Sequence, residues 1–298
     1  MNKIGFVDTF DGVQQFFMDI ITKSIDPNAI VDNVNPDVLI FSDALFGNRN
    51  QFITSARHRI FYTGENPEWL GTNLSDYEYD TAFTFDHRED ERHIRLPLWM
   101  LNIHYLSTRY GYTLDDLVTR SSPIRSDLST RKFCGYVQRN SGCFYRNRAF
   151  DRISAEVSQI DAGGPHKNNI GYVIPRDEKG ILRKFEWLQN YKFSLAYENS
   201  STPGYATEKI LEAYVGKTVP IYWGSPTIEM DFNQAAFINR HAFVTEEDFI
   251  NEIKRVHSDA NRYEEYYSQP LMTLYHKAKY SNQLIKIRNR LKEILNAS

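Results

Sequence analysis

The run from Tyr191 to Pro226, YKFSLAYENSSTPGYATEKILEAYVGKTVPIYWGSP, constrains this chain more than any other stretch. It sets end to end an apolar β-type segment, a polar turn, a charged helix start, a helix, a second β-type segment and a Gly-Ser-Pro turn. Two strands joined by a helix read as the crossover unit of a parallel sheet. The charge falls where strand hands over to helix. At that place in open α/β folds, unpaired N–H groups and the positive helix end point outward and hold anions. The block therefore implies an anionic ligand of the diphosphate kind.

Similar alternation flanks it. Lys3–Val7, Asp37–Phe41, Arg59–Tyr62 and Thr81–Phe85 read as short buried strands, with a helical stretch over Gly12–Ile21. A second series follows: a strand at Lys132–Val137, a helix at Ala149–Gln159, a strand at Lys192–Tyr197, a helix at Thr207–Val215 closed by Gly216, and a strand at Val219–Trp223. Strands alternating with helices predict a parallel sheet covered on both faces. Between the series lies Arg120–Thr130, RSSPIRSDLST, rich in Ser, Arg and Pro and the best linker in the chain. The expectation is two α/β halves separated by a cleft, over residues 1–128 and 129–275, with a tail over 276–298. The tail holds six Lys/Arg and one Glu, and Leu284, Ile287, Leu291 and Ile294 share one helical face. Two readings stand for it: a terminal helix packed on the body, which is the plainer, and a basic amphipathic helix resting on an anionic membrane surface.

At 298 residues the chain is long enough for one large or two medium cores, and its net charge of −3 argues against a general nucleic-acid binder. There is no stretch of about 18 apolar residues that would span a bilayer. The N-terminus, MNKIGFVDTF, reads as a first strand rather than a signal peptide. With Met1 as the natural start, the expected place is the cytoplasm, at the inner face of the membrane if the tail binds there. Cys134 and Cys143 are the two cysteines; two unpaired thiols are the expectation, although one disulfide between them stays open.

Inside the opening block, Gly204 allows a tight turn and Thr207 sits where a helix cap belongs. Lys209 falls in the first helical turn, where a cation opposes the macrodipole unless an anion is near. A single lysine is ordinarily a solvated surface residue; its position after a glycine turn favours phosphate. Glu208 is stabilised by the helix dipole with or without a ligand, and its functional role would be hydrogen bonding to sugar or ribose hydroxyls. Asn199, after Glu198, either holds the turn or binds the ligand. Trp223-Gly224-Ser225-Pro226 is adequately explained as a turn.

These residues, taken in order, resemble the signature of the inverting α-1,3/1,4-fucosyltransferases of bacterial type. Phe193–Asn199 matches F-x-x-x-x-x-E-N, Gly204–Lys209 matches G-Y-x-T-E-K, and Pro220–Pro226 matches P-I-Y-W-G-S-P. Weaker likeness runs through Phe61-Tyr62-Thr63-Gly64-Glu65-Asn66, Ile94–Leu98, Lys132-Phe133 and Gly163–Tyr172, covering most of residues 1–275 but not the tail. The resemblance implies an α/β fold of the GT-B kind, two Rossmann-like domains facing across a cleft. The second would bind GDP-fucose and the first an N-acetyllactosamine-type acceptor. The reaction implied is transfer of fucose, with inversion, to an N-acetylglucosamine hydroxyl, α1,3 or α1,4, in the setting of Lewis-type glycans and lipopolysaccharide.

Such a transfer needs a base for the acceptor hydroxyl and cations for the departing diphosphate. The resemblance implies Glu65 as the base; without it, Glu65 is one surface carboxylate among many. It implies Lys209 on phosphate, Asn199 and Tyr205 in the donor site, and Glu208 near fucose or ribose. In the stretch Gly163–Asn168, Lys167 stands where the family pattern has arginine, keeping the charge but losing the two-pronged fork. His87 and His93 flank a charged run, RED-ER, within Asp86–Arg92, which reads as a solvated helix start, and no zinc spacing or Asp-x-Asp pair occurs. No obligatory metal or cofactor is expected. The alternatives are a GT-B enzyme using another nucleotide sugar, and a non-catalytic glycan- or nucleotide-binding protein. Acceptor contacts would come from such residues as Trp69, Glu78 and Arg88, which the sequence does not rank.

Overall fold

The computed structural model describes every residue except 44–55, 67–76, 89, 121–129, 176–179 and 298. Trp69 and nearly all of the linker at 120–130 lie outside the described residues. Two compact units emerge. The first comprises Met1–Thr113, Pro203–Tyr205 and Lys277–Ser298; the second comprises Leu114–Thr202 and Ala206–His276.

Among the described residues the first unit carries six strands: β1 Lys3–Val7, β2 Ile30–Val31, β3 Val38–Phe41, β4 His58–Thr63, β5 Thr81–Thr84 and β6 His93–Arg95. They form one sheet in the order β2-β1-β3-β4-β5-β6, parallel at every pairing. The inner strands β1, β3, β4 and β5 are largely buried, as a parallel sheet covered on both faces requires, while both residues of the edge strand β2 are exposed. On one face lies α1, Asp11–Ser24, which buries Val13, Phe16, Phe17 and Ile21 at helical spacing. Phe17 meets Tyr62 and Phe83 at ring distances of 6.1 and 5.5 Å. Leu39, Phe41, Phe61, Tyr77 and Ala82 form a second cluster. Helix α2, Leu98–Tyr110, ends at Gly111 in the left-handed conformation.

The second unit opens with α3, Asp115–Val118, and carries β7 Lys132–Tyr136, α4 Phe144–Glu156, β8 Ile160–Ala162, α5 Leu182–Leu188, β9 Tyr191–Tyr197, α6 Glu208–Val215, β10 Val219–Trp223, β11 Ile238–Asn239, α7 Glu246–Ser258 and α8 Ala260–Tyr267. Its sheet runs β11-β10-β9-β7-β8, again parallel throughout. The side chains of β9 alternate. Phe193, Leu195 and Tyr197 join α4, α7 and α8 in the core on one face, while α6 packs against β9 and β10.

Two readings of the sequence change here, and the two readings of the tail are told apart. Helix α4 starts at Phe144, five residues ahead of the expected Ala149, because its first turn carries exposed Phe144 and Tyr145 and a buried Arg146, an inversion of the usual pattern. The described residues of the run, 86–88 and 90–92, are not a helix start but a bend, irregular chain and a turn leading into β6. Asp86 takes the Arg88 side chain at 3.0 Å, and His93 is buried against the Thr84 hydroxyl at 2.8 Å. The tail is a single helix, α9, Leu274–Asn296, and its apolar stripe is used inside the first unit. Ile287, Leu291 and Ile294 are buried, the Tyr280 ring lies tilted against Trp99 at 5.5 Å, and Gln283 donates to the Arg95 carbonyl at 2.6 Å. Each buried aliphatic side chain contributes about 2 kcal/mol. That stripe is therefore spent on packing, as the plainer reading of the tail expects. No helix among the described residues is long and apolar enough to cross a membrane. Cys134 and Cys143 are both buried free thiols.

Candidate functional site

The second unit's site grows from the carboxyl end of β9. Glu198 follows Tyr197, its N–H donates to the Trp223 carbonyl at 2.8 Å, and its side chain is fully buried. One carboxylate oxygen accepts from the Thr207 N–H at 2.8 Å; the other accepts from the Thr207 hydroxyl at 2.6 Å and meets Lys209 Nζ at 3.0 Å. Thr207 stands at the N-cap of α6, as expected, but its hydroxyl faces Glu198 and makes no cap bond. Lys209 Nζ also lies 2.8 Å from the Thr207 hydroxyl and 3.2 Å from Glu208. The conflict between this lysine and the helix dipole is thus relieved by two carboxylates of the protein itself.

Charge is concentrated around that lysine. Lys184 of α5 pairs with Glu212 of α6 at 2.6 Å, both shielded from solvent. Burial pushes the Glu198 carboxyl up, against the pull of Lys209, and burial also pushes Glu212 up, against Lys184. At Glu208 burial opposes the charge, but Lys209, the helix N–H and Lys184 outweigh it and hold the group below the usual carboxylate range. Three carboxylates and two ammonium groups therefore meet at the start of α6, with Lys209 fixed at the centre.

Beside them sits a residue that the sequence reading missed. Arg146 on α4 is fully buried. Its guanidinium donates to the Asn199 side-chain oxygen at 2.8 Å, the Asn140 carbonyl at 2.8 Å and the Tyr197 carbonyl at 3.4 Å, and its Nε meets no hydrogen-bond partner among the described residues. Asn199 thus orients a buried cation. In sequence, Arg146 is one of several arginines in YRNRAFDR, with no local signal to single it out. Lys167, the other expected cation, has a left-handed backbone, with φ 55°, and its Nζ rests on Asp151 at 2.6 Å, above the Phe150 ring.

In the first unit Glu65 follows the carboxyl end of β4, a central strand. The Thr63 hydroxyl donates to Asp43 at 2.7 Å and accepts the Glu65 N–H at 3.2 Å, which fixes the turn. The Tyr205 hydroxyl donates to the Glu65 carboxylate at 2.9 Å, and the Tyr205 ring packs on Phe85 at 5.2 Å. Gly204 has φ 83°, and a Cβ there would come within 2.5 Å of the Phe85 carbonyl oxygen. Glycine is required for that turn. Burial, with the Glu65 and Asp43 charges, pushes the neighbouring Tyr62 hydroxyl far up. Glu65 and Tyr205, expected to serve base and donor separately, are therefore hydrogen-bonded partners. Glu78 pairs with Arg59 at 3.0 Å and Arg88 with Asp86. No group of three or more His, Cys, Asp or Glu side chains that could hold a metal occurs among the described residues.

Two α/β units on parallel sheets, with charged groups gathered where β4 and β9 end, define a protein of the GT-B class. The chain belongs to glycosyltransferase family 10 (fucosyltransferase), whose C-terminal model it matches over residues 129–286; residues 1–102 match the alpha-(1,3)-fucosyltransferase FucT N-terminal domain. It is 34% identical over 274 residues to the alpha-(1,3)-fucosyltransferase FucT of Helicobacter pylori, covering 82% of this chain and 55% of that protein. The chain thus spans about half the length of that curated relative. Crystal structures of an alpha1,3-fucosyltransferase are similar too: one at TM-score 0.76 and 28% identity, and one with GDP at 0.74 and 26%, each over 99% of this chain and 90% of the other. A third, with GDP-fucose, aligns at TM-score 0.69 over 96% of this chain and 90% of the other.

Proposed function

We propose that this chain transfers L-fucose from GDP-fucose to an N-acetylglucosamine hydroxyl of a lactosamine-type glycan, inverting the anomeric centre and making an α1,3 bond in a Lewis-type product. The observation that carries this is the ordered signature block, folded so that Asn199, Glu208 and Lys209 gather at the carboxyl end of β9 and the start of α6. The family membership supports the same reading.

In this reaction Lys209 takes the diphosphate and Arg146, oriented by Asn199, supplies a second cation. Both stabilise charge that grows on the leaving group in the transition state. Glu208 accepts from sugar or ribose hydroxyls. Glu65 removes the acceptor proton, with Tyr205 holding the carboxylate in place. Side-chain cations do this work with no obligatory metal, so turnover should persist in a chelator; its abolition, with restoration by a divalent ion, would overturn that part. The test of the whole is incubation with GDP-fucose and type 1 and type 2 lactosamine acceptors, followed by linkage analysis, with GDP-mannose and UDP-sugars as competing donors. Transfer from GDP-fucose to the N-acetylglucosamine 3-hydroxyl is expected. Faster turnover of another donor would replace the reading with a different nucleotide-sugar enzyme. Binding of GDP with no transfer from any donor would leave a binding protein.

A further inference from the structure

A cavity of about 420 Å³ lies in the second unit, on the α4 and α7 side of the sheet. Tyr197 and Trp223 reach it from the ends of β9 and β10; Glu198 and Gly224, the next residues, alternate to the other face. Trp223 stacks with Tyr197 at 5.7 Å and with His241 at 6.4 Å, and Tyr145 leans on it at 5.1 Å. Tyr145 and Phe144 open α4 at the cavity with 60% and 67% of their surface exposed. Exposed aromatics gathered at a concave surface mark a binding site.

The polar half of the lining narrows the ligand. Arg148 forks onto Glu246 at 2.8 and 3.2 Å, and Arg152 takes the same carboxylate at 2.6 Å and Glu156 at 2.7 Å. Within the lining Arg148 and Glu246 cancel, leaving Arg240 as the net charge, so the site is not built as an anion trap like the Lys209 cluster. Desolvation holds the His241 imidazole below its ordinary value, so it is neutral near pH 7. Its Nε2 faces the Gly224 carbonyl at 2.9 Å and donates there, which leaves Nδ1 as an acceptor. Aromatic faces for C–H surfaces, a planar Arg–Glu pair for adjacent hydroxyls and a neutral acceptor are together complementary to a pyranose. The volume falls within the range of roughly 300–1,000 Å³ usual for small-molecule sites.

We infer that this cavity is a subsite for a neutral hexose or hexosamine unit, separate from the diphosphate cluster; it rests on the reading that the chain acts on glycans. The sugar's less polar face lies on Tyr145 and Trp223, and its hydroxyl pair meets Arg148 and Glu246.

The experiment is a titration of the whole chain followed by the Trp223 indole N–H resonance, assigned by its absence in Trp223→Phe. N-acetyllactosamine, lactose and GDP are the three probes. The disaccharides should shift that resonance, and Tyr145→Ala should weaken the response about fivefold or more. GDP affinity, measured by calorimetry, should stay within about twofold in Tyr145→Ala. Because Tyr145 is exposed, its truncation leaves the fold intact; Glu246→Gln, which changes the hydroxyl-binding pair without removing volume, should weaken the same response. A resonance unmoved by either sugar overturns the inference, as does a Tyr145→Ala variant that loses GDP and keeps sugar. Sugar binding by a chain that transfers from no donor would sink the proposed reaction and leave this subsite standing.

Discussion

The pair of Glu198 and Lys209 allows a quantitative test. At 3.0 Å and an effective dielectric constant of about 20, two unit charges attract by about 5 kcal/mol, but both groups are withdrawn from water and desolvation offsets much of that. Removing one partner of such a pair strands the other and costs about 3–5 kcal/mol. The two ends are not equal here. Lys209 without Glu198 keeps Glu208 at 3.2 Å and the Thr207 hydroxyl at 2.8 Å. Glu198 without Lys209 keeps, among the described residues, its two bonds from Thr207 in a fully buried site. Lys209→Met should therefore cost about 3–5 kcal/mol and Glu198→Gln about 1–3 kcal/mol. In Glu198→Gln/Lys209→Met no charge is stranded, so the double variant should be more stable than Lys209→Met alone by about 1–2 kcal/mol. Urea unfolding at pH 7, read by fluorescence with and without GDP, measures all four corners of the cycle, and GDP should protect only the variants that retain Lys209. Strictly additive single effects would refute the argument that these charges are coupled.

Glu65→Gln should lower fucose transfer by about a hundredfold or more with GDP affinity intact; turnover near the parent level would remove Glu65 from the role of base. Gly111→Ala and Gly204→Ala both force alanine to positive φ, but only the second drives a Cβ into a backbone oxygen, the Phe85 carbonyl. Gly111→Ala should cost about 1 kcal/mol and Gly204→Ala clearly more, with lost transfer as Tyr205 leaves Glu65; equal costs in urea unfolding would refute the close approach. Asp19 is held below the ordinary carboxylate range: burial opposes its charge, and Lys23 and His104, at 3.1 and 2.9 Å, outweigh it. Its folded-state value lies below its unfolded value, so its stabilisation is present above the ordinary range and lost as pH falls through the lowered one. Asp19→Asn should flatten the fall in the urea midpoint between about pH 5 and pH 2, and an unchanged slope would exclude the pair as its cause.

Much of this architecture was legible in the residues. Apolar runs such as VLIF and VPIYW mark parallel strands because both their faces are buried, and β1 and β10 have the bounds expected from the sequence, Lys3–Val7 and Val219–Trp223. Strands β2, β6, β8 and β11, of two or three residues, are too short to carry a period and went unread. The site divides in the same way. Lys209 and Glu208 stand out by position at a helix start. Glu198 as an anchor and Arg146 as a buried cation do not, since a charged residue reads as surface until its partners from distant segments are known. Thr63, Asp43 and Tyr205 meet around Glu65 only through the fold, across as many as 140 positions of sequence.

The first unit is not contiguous in the chain: it needs Pro203–Tyr205 and the helix that begins with the last turn of residues before Lys277. During synthesis the ribosome releases the second unit's segments before the residues that cover Trp99 and cap the first sheet's core exist. The unit that is begun first thus waits for residues made after those of the second unit. Until α9 docks, the nascent first unit displays Trp99 without its Tyr280 partner, a window in which holding chaperones would engage it.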